Sequence, residues 1–215
     1  MRKFRLIILL LMCVFLFYSC SGNSLPISRK QNPQDDEIKF YGFEWLSELE
    51  TIKKKFNNDF GSDSYSITEG KEEISLGNKL SVYEFDISIK ENNALSWKIA
   101  GNEVEKINLK CLSNDNKKHS YLYSASYYFA NPSEEKAIEL ISKLNELYSV
   151  SGTVNISGWF QQNYNDKNNN TVTIYYYTHD TTILSIQYTC NEIQDMINER
   201  KIETEENNTT NKTGL

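Results

Sequence analysis

The chain has 215 residues, with 23 Lys and Arg against 29 Asp and Glu, and a net charge of −6 at pH 7. A surface with this balance repels the phosphates of nucleic acids and of anionic membranes, which argues against electrostatic binding to either. The length suits one compact domain of ordinary size.

The N-terminal residues have the pattern of an export signal. Arg2, Lys3 and Arg5 make the start basic, and residues 6–18 form an uninterrupted apolar run. As a helix this run would cover roughly 20 Å at about 1.5 Å per residue, which is short of a bilayer core of about 30 Å. We therefore predict a signal peptide over residues 1–19, with an uncleaved membrane anchor as an alternative.

The residues at the predicted cut, Ser19-Cys20-Ser21, resemble the signal of bacterial lipoproteins. In that family the cysteine becomes the new N-terminus and carries a diacylglycerol thioether and commonly an acyl chain, such as palmitate, on its amine. The resemblance implies lipid attachment at Cys20, and with it a membrane-anchored protein of the bacterial cell envelope whose domain lies outside the cytoplasm. An ordinary secretory signal cut nearby, with Cys20 incidental, is the other alternative.

Polar segments flank the predicted domain on both sides. Residues 20–37 contain two prolines and few apolar side chains, so we predict a disordered tether behind the lipidated N-terminus. Residues 201–215 are polar as well and are predicted to form a disordered tail. A single folded domain is therefore expected over residues 38–200.

Three segments have the apolar spacing of amphipathic helices. Ser47 with Glu50 predicts a capping box at the start of the first helix. Pro132 and Ser133 predict the start of the second, and residues 191–200 form a shorter third helix. The apolar stripes consist of Leu49, Ile52, Phe56 and Phe60, then Ala137, Ile141, Leu144 and Tyr148, then Ile193, Met196 and Ile197.

The segments between these helices alternate between apolar and polar residues, as half-buried strands do. One face of residues 81–90 consists of Tyr83, Phe85, Ile87 and Ile89. The short polar connections predict an α+β fold, an antiparallel sheet with two to three helices packed on one face. The order of helix, strands, helix, strands and helix also suggests two similar halves.

The folded region itself resembles a class of uncharacterised exported bacterial lipoprotein domains. The likeness runs over most of residues 40–190, and it includes Gly42 and Trp45 at the start of "YGFEWLSELETIKKKF". It implies an α+β fold similar to small envelope assembly or inhibitor domains, and it implies no catalytic residue.

The two histidines, His119 and His179, are the first candidates for chemistry. His179 precedes Asp180, and a His-Asp pair can orient an imidazole for base catalysis, but no recognisable nucleophile motif accompanies it. His119 lies in a predicted polar turn, and the spacing of the histidines fits no metal site. We predict no catalytic residue, no metal and no cofactor.

Cys111 and Cys190 fall on the apolar faces of predicted strands. If both face one interior they could form a disulfide, which an exported protein would retain. Two separate buried thiols are the alternative.

Aromatic residues provide the candidate interaction surface. Tyr175, Tyr176 and Tyr177 are consecutive, so a strand must place aromatic rings on both faces of the sheet. We predict that Tyr175, Tyr177 and Trp159 belong to a surface that binds a protein partner, in a non-catalytic interaction or assembly domain. The alternatives are cross-strand pairs that only stabilise the sheet, a small-ligand or glycan site around Trp159 and Tyr175, and an enzyme of an unrecognised type.

Overall fold

The computed structural model describes residues 37–213 except 69, 78, 91–96 and 115–118, with side chains as far as residue 203. The predicted signal peptide, the lipid attachment at Cys20 and the tether before residue 37 lie outside the described residues.

Within this part of the chain three helices alternate with two sets of strands. The helices are α1 (Leu49–Phe60), α2 (Glu134–Leu147) and α3 (Asn191–Thr213). The strands before α2 are β1 (Tyr65–Ile67), β2 (Lys71–Ser75), β3 (Leu80–Ile89), β4 (Lys98–Ile99), β5 (Asn102–Asn114) and β6 (His119–Phe129). The strands after it are β7 (Ser149–Ile156), β8 (Trp159–Asn165), β9 (Thr171–Tyr177) and β10 (Ile183–Thr189).

The strands form one antiparallel sheet in the order β1-β3-β5-β6-β10-β9-β8-β7, with β2 also paired to β3 and β4 to β5. In each half a helix is followed by a meander that runs from an edge towards the centre. The last strands of the two halves, β6 and β10, pair there, and Ile186 lies opposite Tyr127. The predicted α+β fold, an antiparallel sheet carrying helices, is confirmed.

The main core lies between the sheet and the helices α1 and α2. The predicted stripe of α1 is buried along its whole length, because its side chains belong to one hydrophobic cluster with the inward residues of the sheet. The buried residues of α2 are Ala137, Leu140 and Leu144, whereas Ile141 and Tyr148 are half-buried at the margin of the core. Hydrophobic periodicity therefore identified the correct face of both helices.

The start of α2 is as predicted, and the start of α1 is not. The Ser133 hydroxyl accepts a hydrogen bond from the Lys136 N–H at 3.3 Å. At α1 the predicted capping box is wrong: the N-cap is Glu48, which makes no side-chain cap bond. The cause is a long-range contact, since the carbonyl of Ser47 accepts a hydrogen bond from Leu122 of β6 and this holds Ser47 outside the helix.

The third helix packs over the opposite face of the sheet. Ile197 is fully buried and Met196 is half-buried against a second, smaller cluster that contains Val82, Leu112 and Tyr123. These three side chains point away from α1 and α2, since their strand neighbours Tyr83, Cys111 and Leu122 belong to the main core. Of the described helices, only α1 and α2 therefore pack on the same face of the sheet.

The helix α3 continues to Thr213, through most of the segment predicted to be a disordered tail. That prediction was based on polarity alone. Glu, Lys and Arg, which are frequent in residues 199–206, are polar but also favour helices.

The described helices offer no candidate for a membrane crossing, since none is both long and apolar enough.

Candidate functional site

Strand register brings the three predicted surface residues together. Trp159 of β8 lies directly opposite Tyr177 of β9, and Tyr175 lies two positions along the same strand. Side chains that are paired across strands or two apart in one strand share a face. Trp159, Tyr175 and Tyr177 therefore occupy one face, the face opposite α1 and α2, which we call the outer face.

Aliphatic side chains extend this group on both sides. Ile156 pairs with Trp159, and Ile183 pairs with Tyr177, so one row of apolar residues crosses four strands. The exposed fractions are 58% for Ile156, 42% for Trp159 and 40% for Ile183. Together with Val154 and Tyr175 of the adjacent row, these residues form what we call the aromatic corner (Val154, Ile156, Trp159, Tyr175, Tyr177 and Ile183).

The helix-facing side of the same strands is apolar as well. Phe160, Tyr176 and Leu184 alternate with the corner residues and pack in or against the main core. The prediction that consecutive tyrosines place aromatic rings on both faces of the sheet is therefore confirmed at β9.

The corner itself carries no charge, and the charged groups of the outer face lie beyond it. The Lys106 ammonium lies 5.5 Å from the centre of the Tyr128 ring and 2.9 Å from a carboxylate oxygen of Asp86. Burial alone would raise the pKa of Asp86, but hydrogen bonds from Lys106 and Asn108 hold it below its usual value. The acid is thus ionised and paired at neutral pH, and the aromatic corner is bordered by a neutralised cluster.

Strand β7 is the edge of the sheet next to the corner. Seven of its eight residues are exposed, and its sequence, SVSGTVNI, contains no charged residue and no proline. It pairs with β8, and no described strand pairs with its other side. An unpaired edge presents a row of backbone N–H and C=O groups, and proteins usually protect such an edge with charge or proline.

The opposite edge of the sheet is protected in this way. Strand β2 begins Lys71-Glu72-Glu73, and its first three residues are exposed. The edge strand β1 has only three residues. The two edges therefore differ in chemistry, and β7 is the one suited to pairing with another strand.

A groove of about 420 Å³ lies on the helix side of β7, between α2 and the hairpin of β7 and β8. Its lining includes Ile138, Ile141, Phe160 and Tyr176. Ile138 is 59% exposed although it belongs to a core-facing helix. The end of β7 thus has exposed apolar side chains on both faces of the sheet, the aromatic corner on one and Ile138 on the other.

The histidines lie apart from any cluster of described titratable groups. His119 is the first residue of β6 rather than part of a turn, and its Nδ1 lies 2.8 Å from a carboxylate oxygen of Glu48. His179 lies against the ring of Tyr177, with 5.1 Å between ring centres. Among the described residues, no group of three or more His, Cys, Asp or Glu side chains is placed to hold a metal ion.

Cys111 and Cys190 are free, and both are buried. Cys111 belongs to the main core, whereas Cys190 follows β10 and packs in the smaller cluster on the outer face. The possible disulfide is therefore not formed, because the sheet separates the two side chains. The sequence pattern placed Cys190 within a strand, whereas β10 ends at Thr189, and the condition that both cysteines face one interior is not met.

A scan against protein-family models found no match, and searches of curated proteins and of solved structures found none either. The geometry of the site is therefore the basis for a functional proposal.

Proposed function

We propose that this chain is a non-catalytic interaction or assembly module of the bacterial cell envelope, held at the membrane by lipid on Cys20. Its partner would be another protein, bound at β7 and the aromatic corner. The observation that carries the proposal is the exposed, uncharged edge of β7 beside exposed apolar side chains.

The mode of binding follows from the edge. An extended segment of the partner would add to the sheet beside β7, with backbone hydrogen bonds providing affinity and alternate side chains providing specificity. One set of its side chains would meet Val154, Ile156 and Trp159, and the other would meet Ile138 near the groove. The segment would therefore be apolar on both faces.

The segment would also be uncharged where it pairs. Neither β7 nor the aromatic corner offers a charged partner, and an unpaired charge buried there would be strongly unfavourable. Trp159 is exposed and Tyr175 and Tyr177 are half-buried, and Trp and Tyr are among the residue types that contribute most at protein interfaces. A small ligand or glycan at Trp159 and Tyr175 is the second candidate, because Trp159 also lines the groove beside β7.

The test is cross-linking in intact cells that make the full chain with a C-terminal tag, followed by purification and mass spectrometry. We expect one reproducible protein partner, recovered at least tenfold less with the double variant Val154→Lys/Ile156→Lys, since two added charges protect the edge.

The matched control is Ile202→Lys, which places the same charge at an apolar residue of α3 that is 56% exposed. This control should recover the partner as well as the unchanged chain does. A partner recovered equally with the double variant, or cross-links only to a second copy of this chain, would contradict the proposal.

Lipid attachment has its own test, the intact mass of the chain extracted from membranes. We expect a chain that begins at Cys20 and carries diacylglycerol and acyl chains, which together give firm membrane binding. An unmodified mass, or a different first residue, would remove the anchor from the proposal and leave the β7 site to its separate test.

A further inference from the structure

A second site lies on the helix-covered face, away from β7. It is a cleft of about 310 Å³ between α2, the sheet and the segment before α1. Four tyrosines line it, so we call it the tyrosine cleft (Tyr41, Tyr127, Tyr148 and Tyr188). Its volume is at the lower end of the range of about 300–1,000 Å³ that is usual for small-molecule sites.

The lining of the cleft is mostly apolar. The sheet contributes Ile186 between the tyrosines, and α2 contributes Leu140, Leu144 and Leu147. Charged side chains, Glu37, Lys39 and Lys143, also line it. Such a surface fits an apolar molecule with a small number of polar atoms.

Two tyrosine hydroxyl groups supply the polar contacts. Tyr127 is 3% exposed and lines the cleft. Tyr188 is half-buried, and the two rings lie 5.9 Å apart at an interplanar angle of 88°. A hydroxyl at the wall of a mostly apolar cleft is the kind of polar group that orients a ligand, so Tyr127 and Tyr188 are the donors that an entering acceptor would meet.

Both hydroxyls are available as donors. Burial raises the pKa of Tyr127 and of Tyr188 well above the usual tyrosine value, so both remain protonated throughout the physiological range. A protonated phenol can donate one hydrogen bond. The complementary group is therefore an oxygen that accepts two.

The charges at the cleft favour a neutral acceptor over a carboxylate. Lys39 is paired with Glu37 at 3.0 Å and with Glu44, and Lys143 lies 3.6 Å from Glu146. The cations are thus already partnered by acids, and a carboxylate beside Tyr127 would be buried without a cation of its own.

We propose that the tyrosine cleft binds a small apolar molecule whose buried end carries a neutral carbonyl oxygen, held by the hydroxyls of Tyr127 and Tyr188. The ligand class is an aliphatic ketone, ester or similar uncharged compound. This site is separate from β7 and does not depend on the role proposed for that edge.

The probe is 2-undecanone, titrated by calorimetry into residues 20–215 with Cys20→Ser. This chain contains every described residue and both hydrophobic clusters. We expect one molecule bound per chain. Tyr127→Phe and Tyr188→Phe should each weaken binding about two- to tenfold, since each removes one hydrogen bond and leaves the ring in place.

Two further variants test whether the ketone binds in the tyrosine cleft. Tyr128→Phe removes a hydroxyl from the neighbouring residue, which points to the outer face, and should leave the affinity unchanged. Leu147→Trp adds bulk at the half-buried lining of the cleft and should abolish binding. Thermal melting of each variant confirms that it is folded.

Three results would overturn the proposal. The first is no binding of 2-undecanone by the folded chain up to its solubility limit. The second is an affinity that Tyr127→Phe and Tyr188→Phe both leave unchanged. The third is tighter binding of sodium decanoate than of the ketone at pH 7.5, which would show that the cleft takes an anion.

Discussion

At the scale of single residues, the thiols of Cys111 and Cys190 differ in how well they are shielded. Burial raises the pKa of the Cys111 thiol to about 12. Burial also raises the pKa of Cys190, although neighbouring backbone N–H groups of α3 lower it in part. Since the thiolate is the reactive form, both thiols should be poor nucleophiles in the folded protein, and Cys111 the poorer.

We predict that Ellman's reagent at pH 8 reacts slowly with native residues 20–215 carrying Cys20→Ser, and faster at Cys190 than at Cys111. The variant Cys190→Ser isolates the slower thiol. Its reaction rate should still be rising above pH 9, because the thiolate population grows until pH reaches the pKa. Unfolding in urea without reductant should release two thiols, and finding none would mean that a disulfide forms after all.

At the scale of secondary-structure elements, the two helix starts provide a matched pair. The Ser133 side chain caps α2, whereas the Ser47 hydroxyl donates to the Glu44 carbonyl at 2.6 Å and does not cap α1. We predict that Ser133→Ala lowers the free energy of unfolding by about 1 kcal/mol. Ser47→Ala should change it by less than about 0.5 kcal/mol, as exposed sites usually do. Urea denaturation measures both, and an equal loss in the two variants would contradict the assignment of the caps.

The elements themselves could be predicted from the sequence because their signals are local. The stripe that ends at Phe60 and the alternation from Tyr83 to Ile89 depend on neighbours within a few residues. The position of Ser47 depends on Leu122, which is 75 positions away, so no local pattern could show it.

The candidate site could be predicted only in part, because some of its features are local and others depend on strand order and register. Trp159, Tyr175 and Tyr177 were identifiable as aromatic residues of predicted strands, but their adjacency depends on the register of β8 with β9. The edge at β7 was missed because it depends on strand order, although the absence of charge in SVSGTVNI was visible. The tyrosine cleft unites residues from both halves of the chain, and its residues share no sequence pattern.

At the scale of the whole molecule, the two halves share one core. The ring of Phe40 lies 6.4 Å from that of Phe56 in α1, 5.0 Å from Tyr127 in β6 and 6.2 Å from Tyr188 in β10. The sheet is continuous across β6 and β10 as well. The domain should therefore unfold as one cooperative unit.

We predict that Phe56→Ala in α1 lowers the stability of both halves, by about 3–5 kcal/mol as is typical for a large buried ring. Hydrogen exchange followed by mass spectrometry should show faster exchange in β8 and β9 as well as in β3 and β5. The exposed neighbour Lys54→Ala should leave exchange unchanged. Faster exchange confined to β1–β6 would show that the halves unfold independently.

The central position of β10 determines when the sheet can fold during synthesis of the chain. Residues 183–189 are among the last of the described domain to leave the ribosome, yet they belong between β6 and β9. A nascent chain that ends before Ile183 has two strands with unpaired inner edges, and its core lacks Leu184 and Ile186. Such intermediates are prone to aggregate. Folding of the sheet must therefore wait until β10 has been made, and the chain needs protection until then.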